Sequence, residues 1–196
     1  CILEHRGHGH SAHDVSNPSL VWIDDWRRYV ADFAAFADTV GREYACGEPL
    51  NLYCHSMGGG IGAAVMEHYP SLFDKAVLSA PMIAPVVGMP TWIARIATGA
   101  LCGLGFGKAR VFGHTEFSPE LELDEHKGAS EARVRWFHKQ RVDDVACQTN
   151  AATFEWAHQA MALSRAILKP DMCGAIETPM LQFQAGRDIR VLNGPQ

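Results

Sequence analysis

The spacing of apolar positions divides the chain into strands and helices before any motif is considered. Cys1-Ile2-Leu3-Glu4 is a short apolar run that breaks at Arg6-Gly7-His8-Gly9-His10-Ser11, which reads as a strand ending in a glycine-rich loop. From Trp22 the residues Trp22, Trp26, Tyr29, Val30, Phe33, Phe36, Ala37 and Val40 recur at steps of three and four, predicting an amphipathic helix with Gly41 as its stop. Leu50 to Cys54 predicts a second strand, which runs through His55-Ser56-Met57-Gly58-Gly59-Gly60 into a helix over Ile61 to His68, closed by Pro70. Ala76 to Ala80 is a third strand ending at Pro81, and Met180 to Ala185 a later one. Strands alternating with helices at this spacing predict an α/β architecture, a mostly parallel sheet covered by helices on both faces.

That rhythm fails between about Ile83 and Ala166, where helical patterns and Pro or Gly occur without a clear strand. The expected organisation is therefore a core over 1–82, an inserted helical cap over 83–166 and a second, incomplete part of the core over 167–196. The chain opens without Met and stops at Asn193-Gly194-Pro195-Gln196, so both ends read as truncations.

Composition narrows the function. The 196 residues are 47% hydrophobic and 20% charged, in the globular range, with a net charge of −5 and no basic run, so neither a nucleic-acid footprint nor a polybasic membrane tether is visible. No apolar stretch is long enough to span a bilayer, although peripheral contact with lipid through apolar surface stays open. Six scattered cysteines without a C-x-x-C pair suit a reducing, cytoplasmic compartment.

Cys54-His55-Ser56-Met57-Gly58 stands where a strand meets a helix, the context of a nucleophile elbow. Small residues two positions either side leave room for the sharp turn that exposes the serine Oγ, and Cys54 here stands where such motifs usually have glycine. The Met57 amide and the helix N-terminus would stabilise an oxyanion. The competing reading of Ser56 is a plain helix cap. His55 is expected to be a packing or supporting residue rather than the base. Asp188, after the last strand, is the candidate acid that orients a histidine, with Asp171 as runner-up; the order in such enzymes is Ser, acid, His. No histidine follows Asp188, since all ten lie at or before His158. A rival pattern, His8-Gly9-His10-Ser11-Ala12-His13, has the histidine spacing of a binuclear zinc site but carries Ala12 where the aspartate would stand.

Three segments together resemble the monoacylglycerol lipase and bacterial lysophospholipase branch of the α/β-hydrolases. Glu4-His5-Arg6-Gly7-His8-Gly9-His10-Ser11 is similar to the branch's D-H-R-G-x-G-x-S loop, with Glu4 for the commoner Asp. His55-Ser56-Met57-Gly58-Gly59 resembles its H-S-M-G-G elbow, and Gln184 to Val191 its acid-bearing turn. Thr153-Phe154-Glu155-Trp156 is similar to a weaker T-x-x-W feature. The branch's upstream H-G oxyanion segment and its downstream histidine are absent from these residues. The resemblance implies a partial α/β-hydrolase fold and a serine ester hydrolase with Ser56 and Asp188 catalytic, Met57 in the oxyanion hole, and no metal or cofactor. It also implies a small acyl ester substrate, a lysophospholipid or a monoacylglycerol, with possible peripheral contact at the inner membrane and an acyl pocket under the cap. Other esterases, haloperoxidase-like or C–C-bond hydrolases, and a non-catalytic lipid-binding module share the scaffold.

Overall fold

The computed structural model describes residues 1–123 and 128–186. Packing divides them into two units. The first comprises residues 1–3, 25–97 and 158–186, and the second residues 4–24 and 98–157.

The first unit is built on three parallel strands in the order β2 (Asn51–His55), β3 (Lys75–Ser79), β5 (Met180–Phe183), with Cys54 opposite Leu78, His55 opposite Ser79 and Ser79 opposite Phe183. Leu52 and Cys54 alternate inward along β2 while Tyr53 and His55 point out, the period-two pattern of a sheet buried on one face. The buried face lies against helix α3 (Met57–His68), whose Ile61, Ala63, Ala64, Val65 and Met66 are all buried. Helix α1 (Arg27–Phe36) packs on α3, with the Trp26 ring 6.4 Å from that of His68 and the Phe33 ring 6.0 Å from that of Phe73. A parallel sheet flanked by helices is the expected architecture, and among the described residues Tyr53, Leu181 and Phe183 on the other face of the sheet are each more than half exposed.

Two boundaries also move. The periodicity from Trp22 suggests one helix to Gly41, but α1 begins at Arg27, whose N–H donates to the Asp25 carboxylate at 2.9 Å in the turn that leads into the helix. Gly41 does not stop it: the chain continues through a π-helical stretch (Ala37–Gly41) into α2 (Arg42–Ala45) and ends at Cys46, whose φ of 52° supplies the left-handed terminus. Cys1 to Glu4 forms no ladder among the described residues, since an apolar run becomes a strand only with a paired neighbour.

The second unit contains two two-residue strands, β1 (Leu20–Val21) and β4 (Ala151–Ala152), paired in parallel. They are a sheet of their own, separate from β2-β3-β5. Residues 83–166 carry α4 (Thr91–Leu101), a π-helical stretch (Cys102–Phe106), α5 (Glu131–Asp143), a 3-10 turn (Val145–Cys147) and most of α6 (Phe154–Ile167). Thr153 explains the T-x-x-W feature. Its fully buried hydroxyl donates to the Val21 carbonyl at 2.8 Å and accepts the Trp156 N–H at 3.2 Å, so it fastens β1 and caps α6 together. A further short helix, α7 (Pro170–Cys173), follows α6. Among the described residues no helix is long and apolar enough to cross a membrane.

Candidate active site

The geometry around Ser56 follows from a chain that must turn from β2 into α3 within one residue. Ser56 has φ 51° and ψ −121°, a backbone that L residues rarely adopt. Its side chain makes no cap bond to α3. A serine that merely capped the helix would use its Oγ for an N–H of the first turn, so the half-buried hydroxyl is available for other chemistry. Met57 opens α3, and its N–H belongs to the first turn, where an α-helix leaves its donors without internal acceptors. Those donors and the helix dipole make this end favourable for negative charge.

Glycine is required after Ser56 because the turn presses α3 onto the exit of β3. A Cβ on Gly59 would stand 2.5 Å from Pro81 Cβ, and one on Gly60 2.5 Å from the Met82 carbonyl oxygen. Beneath the turn, Cys54 Sγ fills the hollow left by Gly62, and burial pushes the Cys54 thiol up to about 12, leaving it protonated and unreactive. His55 is exposed at the end of β2 rather than packed, because strand alternation points it to the open face of the sheet.

Asp188 lies outside the described residues. Asp171 sits in α7, and its charge acts on Glu67 near the far end of α3. Glu67 is eleven residues beyond Ser56, about 16 Å along the helix axis, which removes Asp171 from the neighbourhood of Ser56. Glu67 itself is a titratable group that the sequence reading passed over. It is buried in α3, and burial first, then the Asp171 charge, push its carboxyl up to about 7.

In the second unit the glycine-rich loop closes on itself. Gly7 N–H donates to the Ala12 carbonyl at 2.8 Å and Ser11 Oγ to the Glu4 carbonyl at 2.6 Å, while the Glu4 carboxylate accepts the His10 N–H at 2.9 Å. Gly9 is favoured by its φ of 54°, and a Cβ there would displace the Glu4 carboxylate, which stands 2.5 Å from that position. Each histidine of the zinc-like pattern faces a different partner: His8 Nδ1 the Arg6 carbonyl, His10 Nε2 the Asp144 carboxylate at 2.8 Å, His13 Nε2 the Gly9 carbonyl. Burial holds the His8 imidazole below its ordinary value. Among the described residues no group of three or more His, Cys, Asp or Glu could hold a metal.

The sequence singles out Ser56 and Met57 but not Ala80 and Met82, whose backbone meets this turn: the Met82 N–H donates to the Ser56 carbonyl at 2.8 Å. The sole signal was Pro81, which ends β3 and sets the turn against α3.

Over all of residues 1–196 the chain matches the family described as Serine aminopeptidase, S33. It is 27% identical to lysophospholipase L2 of Escherichia coli strain K12 across 98% of its own length and 56% of that protein's. The chain thus spans about half the length of the curated relatives it matches. Among solved structures it is similar to a soluble variant of monoglyceride lipase from Saccharomyces cerevisiae, with TM-score 0.60 and 19% identity over 91% of this chain and 56% of that one. The Paleococcus ferrophilus monoacylglycerol lipase gives TM-score 0.56 and 16% identity over 90% of this chain and 58% of that one. At these identities the structural likeness speaks to the fold, and it agrees with parallel strands joined through α3 and with the expected partial α/β-hydrolase. The chain belongs to the serine aminopeptidase S33 family, and its fold is that of the α/β-hydrolases.

Proposed function

We propose that the chain carries the nucleophile of a carboxylic ester hydrolase acting on lysophospholipids or monoacylglycerols. The observation that carries the reading is Ser56 at positive φ between β2 and α3, its hydroxyl unused as a cap. Ser56 Oγ attacks the acyl carbonyl, forming the Oγ–acyl bond, and its proton passes to an imidazole. The Met57 N–H and the α3 N-terminus hold the oxyanion; the alcohol leaves with the imidazole's proton, and water then cleaves the acyl-enzyme. Asp188 orients the imidazole. We assign the base to none of the ten histidines, because all precede Asp188 and the order in this fold is Ser, acid, His. The reaction as written uses no metal or organic cofactor.

The substrate class draws support from the names of the relatives, a lysophospholipase and monoglyceride lipases. A cap over residues 83–166 draws support from the helices α4, α5 and α6 that fill it. Peripheral contact with the cytoplasmic face of the inner membrane draws support from Trp92 and Ile96 of α4, which are 65% and 66% exposed.

The test uses the native protein with a lysophosphatidylcholine and a 1-monoacylglycerol, together with fluorophosphonate labelling located by peptide mass. Turnover on the order of 10 per second, with label on Ser56 and both lost in Ser56→Ala, is the expected result. Turnover or labelling that survives Ser56→Ala overturns the reading. A native protein that binds either lipid without turnover or label points to a binding module instead.

A further inference from the structure

Among the described residues that bear a Cβ, only Cys46, Ser56 and Ala80 have positive φ. Cys46 ends a helix, an ordinary place for it. Ser56 and Ala80 are different. They stand one residue beyond β2 and β3, continuing the register in which His55 faces Ser79. Two backbone bonds join these exits. The Ser56 N–H donates to the Ser79 carbonyl at 3.1 Å, and the Met82 N–H donates to the Ser56 carbonyl at 2.8 Å. Ala80 is itself anchored, its N–H donating to the Phe183 carbonyl of β5 at 2.7 Å.

The left-handed turn at Ala80, φ 44°, is what lets the carbonyl before it and the N–H after it reach the same residue. An extended Ala80 would carry Met82 onward along the strand direction and break the second bond. A left-handed alanine is disfavoured relative to ordinary backbone, and strain of this kind persists only where surrounding contacts enforce it.

We propose that Ala80 is a positioning residue for the nucleophile: its turn grips the peptides on both sides of Ser56 and so fixes the Oγ and the Met57 N–H relative to each other. This rests on the reading of Ser56 as nucleophile. The link is the planarity of the peptide bond. The Ser56 carbonyl and the Met57 N–H belong to one trans peptide and point in opposite directions. Holding that carbonyl with Met82, besides the Gly59 and Gly60 N–H groups that also reach it at 2.9 and 3.3 Å, therefore aims the Met57 N–H at the oxyanion position. Misplacement by about 1 Å at such a site lowers the rate about a hundredfold.

Three variants of the native protein test this, with a short-chain p-nitrophenyl ester as probe and rates referred to folded protein by circular dichroism. Ala80→Val, whose β-branch opposes positive φ, is expected to lose about ten- to a hundredfold in kcat with KM unchanged. Ala80→Gly, free to adopt the same turn, rescues the rate. Replacing the Met82 amide by a backbone ester, which deletes that N–H and weakens the Pro81 carbonyl as acceptor of the Ile83 N–H, lowers kcat with the fold intact, and an Ile83 ester, which removes only the latter bond's donor, does not. A folded Ala80→Val with wild-type kcat, an Ala80→Gly as impaired as Ala80→Val, or a Met82 ester without effect overturns the inference. If Ala80→Val does not fold, the ester decides. Turnover that survives Ser56→Ala overturns the nucleophile reading instead, so the two failures are told apart.

Discussion

Cys54 and Gly62 share one space: a Cβ added to Gly62 would stand 2.8 Å from the Cys54 Sγ. The strand before the elbow and the helix after it are thus fitted to each other, and Cys54 can replace the usual glycine because Gly62 yields the volume. Gly62→Ala is expected to destabilise the protein by about 1–3 kcal/mol through overpacking, despite alanine's better helix propensity. Cys54→Gly with Gly62→Ala should recover part of that loss. Denaturant melts of the two single variants and the double variant measure the coupling, and strict additivity would mean that the two residues do not compete for this space.

The backbone of Ser56, at φ 51°, carries a conformational cost that glycine would not bear. Ser56→Gly removes the penalty of φ 51° and is expected to raise stability by up to about 1 kcal/mol, less glycine's entropy loss. Ser56→Ala keeps the strained φ and should change stability little. On the proposed function, both are expected to abolish ester turnover. Paired thermal melts and activity assays check this, and a Ser56→Gly protein less stable than Ser56→Ala would argue against strain at the elbow.

The elbow was legible because its chemistry dictates residue types: small neighbours, a strand before, a helix after. The brace from Ser79 to Met82 was not, because it is made of backbone groups that every residue possesses. The start of α1 differs from the pattern since Trp22 and Trp26 are four apart and mimic a helical stripe, whereas the chain enters the helix through a turn in which the Arg27 N–H donates to the Asp25 carboxylate. Strands β1 and β4 are two residues long, too short to display any alternation. Asp188, read from motif and chain order alone, lies outside the described residues.

Thr153 should behave as a structural fastener and not as part of the chemistry. Removing its hydroxyl in Thr153→Ala leaves the Val21 carbonyl short of one donor and α6 without its cap, an expected loss of about 1–3 kcal/mol. Thr153→Ser keeps both bonds and should retain most of the stability. Thermal melts of the two variants decide the matter, and equal losses would assign the effect to the methyl group instead.

Glu67 gives the protein a pH dependence whose sign is fixed by its burial. Its carboxyl titrates near 7 in the folded chain against an ordinary 4.5, with burial the larger cause and the Asp171 charge the smaller. Between these values the folded state holds a proton that the unfolded state has released, so stability falls as pH rises. The contribution is fully present below about pH 4.5, is lost through the window up to about pH 7, and changes no further above it. Glu67→Gln cannot ionise and should escape the loss. Its melting temperature relative to wild type is therefore expected to climb from pH 4.5 to pH 7 and then level, with a total effect on the order of 1–3 kcal/mol. Because burial leads, Asp171→Asn should shift the midpoint of that climb downward without removing it. Thermal melts of wild type, Glu67→Gln and Asp171→Asn at half-unit steps from pH 4.5 to 8 read the difference directly, cancelling other titrating groups. A wild-type to Glu67→Gln difference that stays flat across the window would mean that the folded carboxyl titrates at its ordinary value, and that α3 accommodates a charged Glu67 at neutral pH.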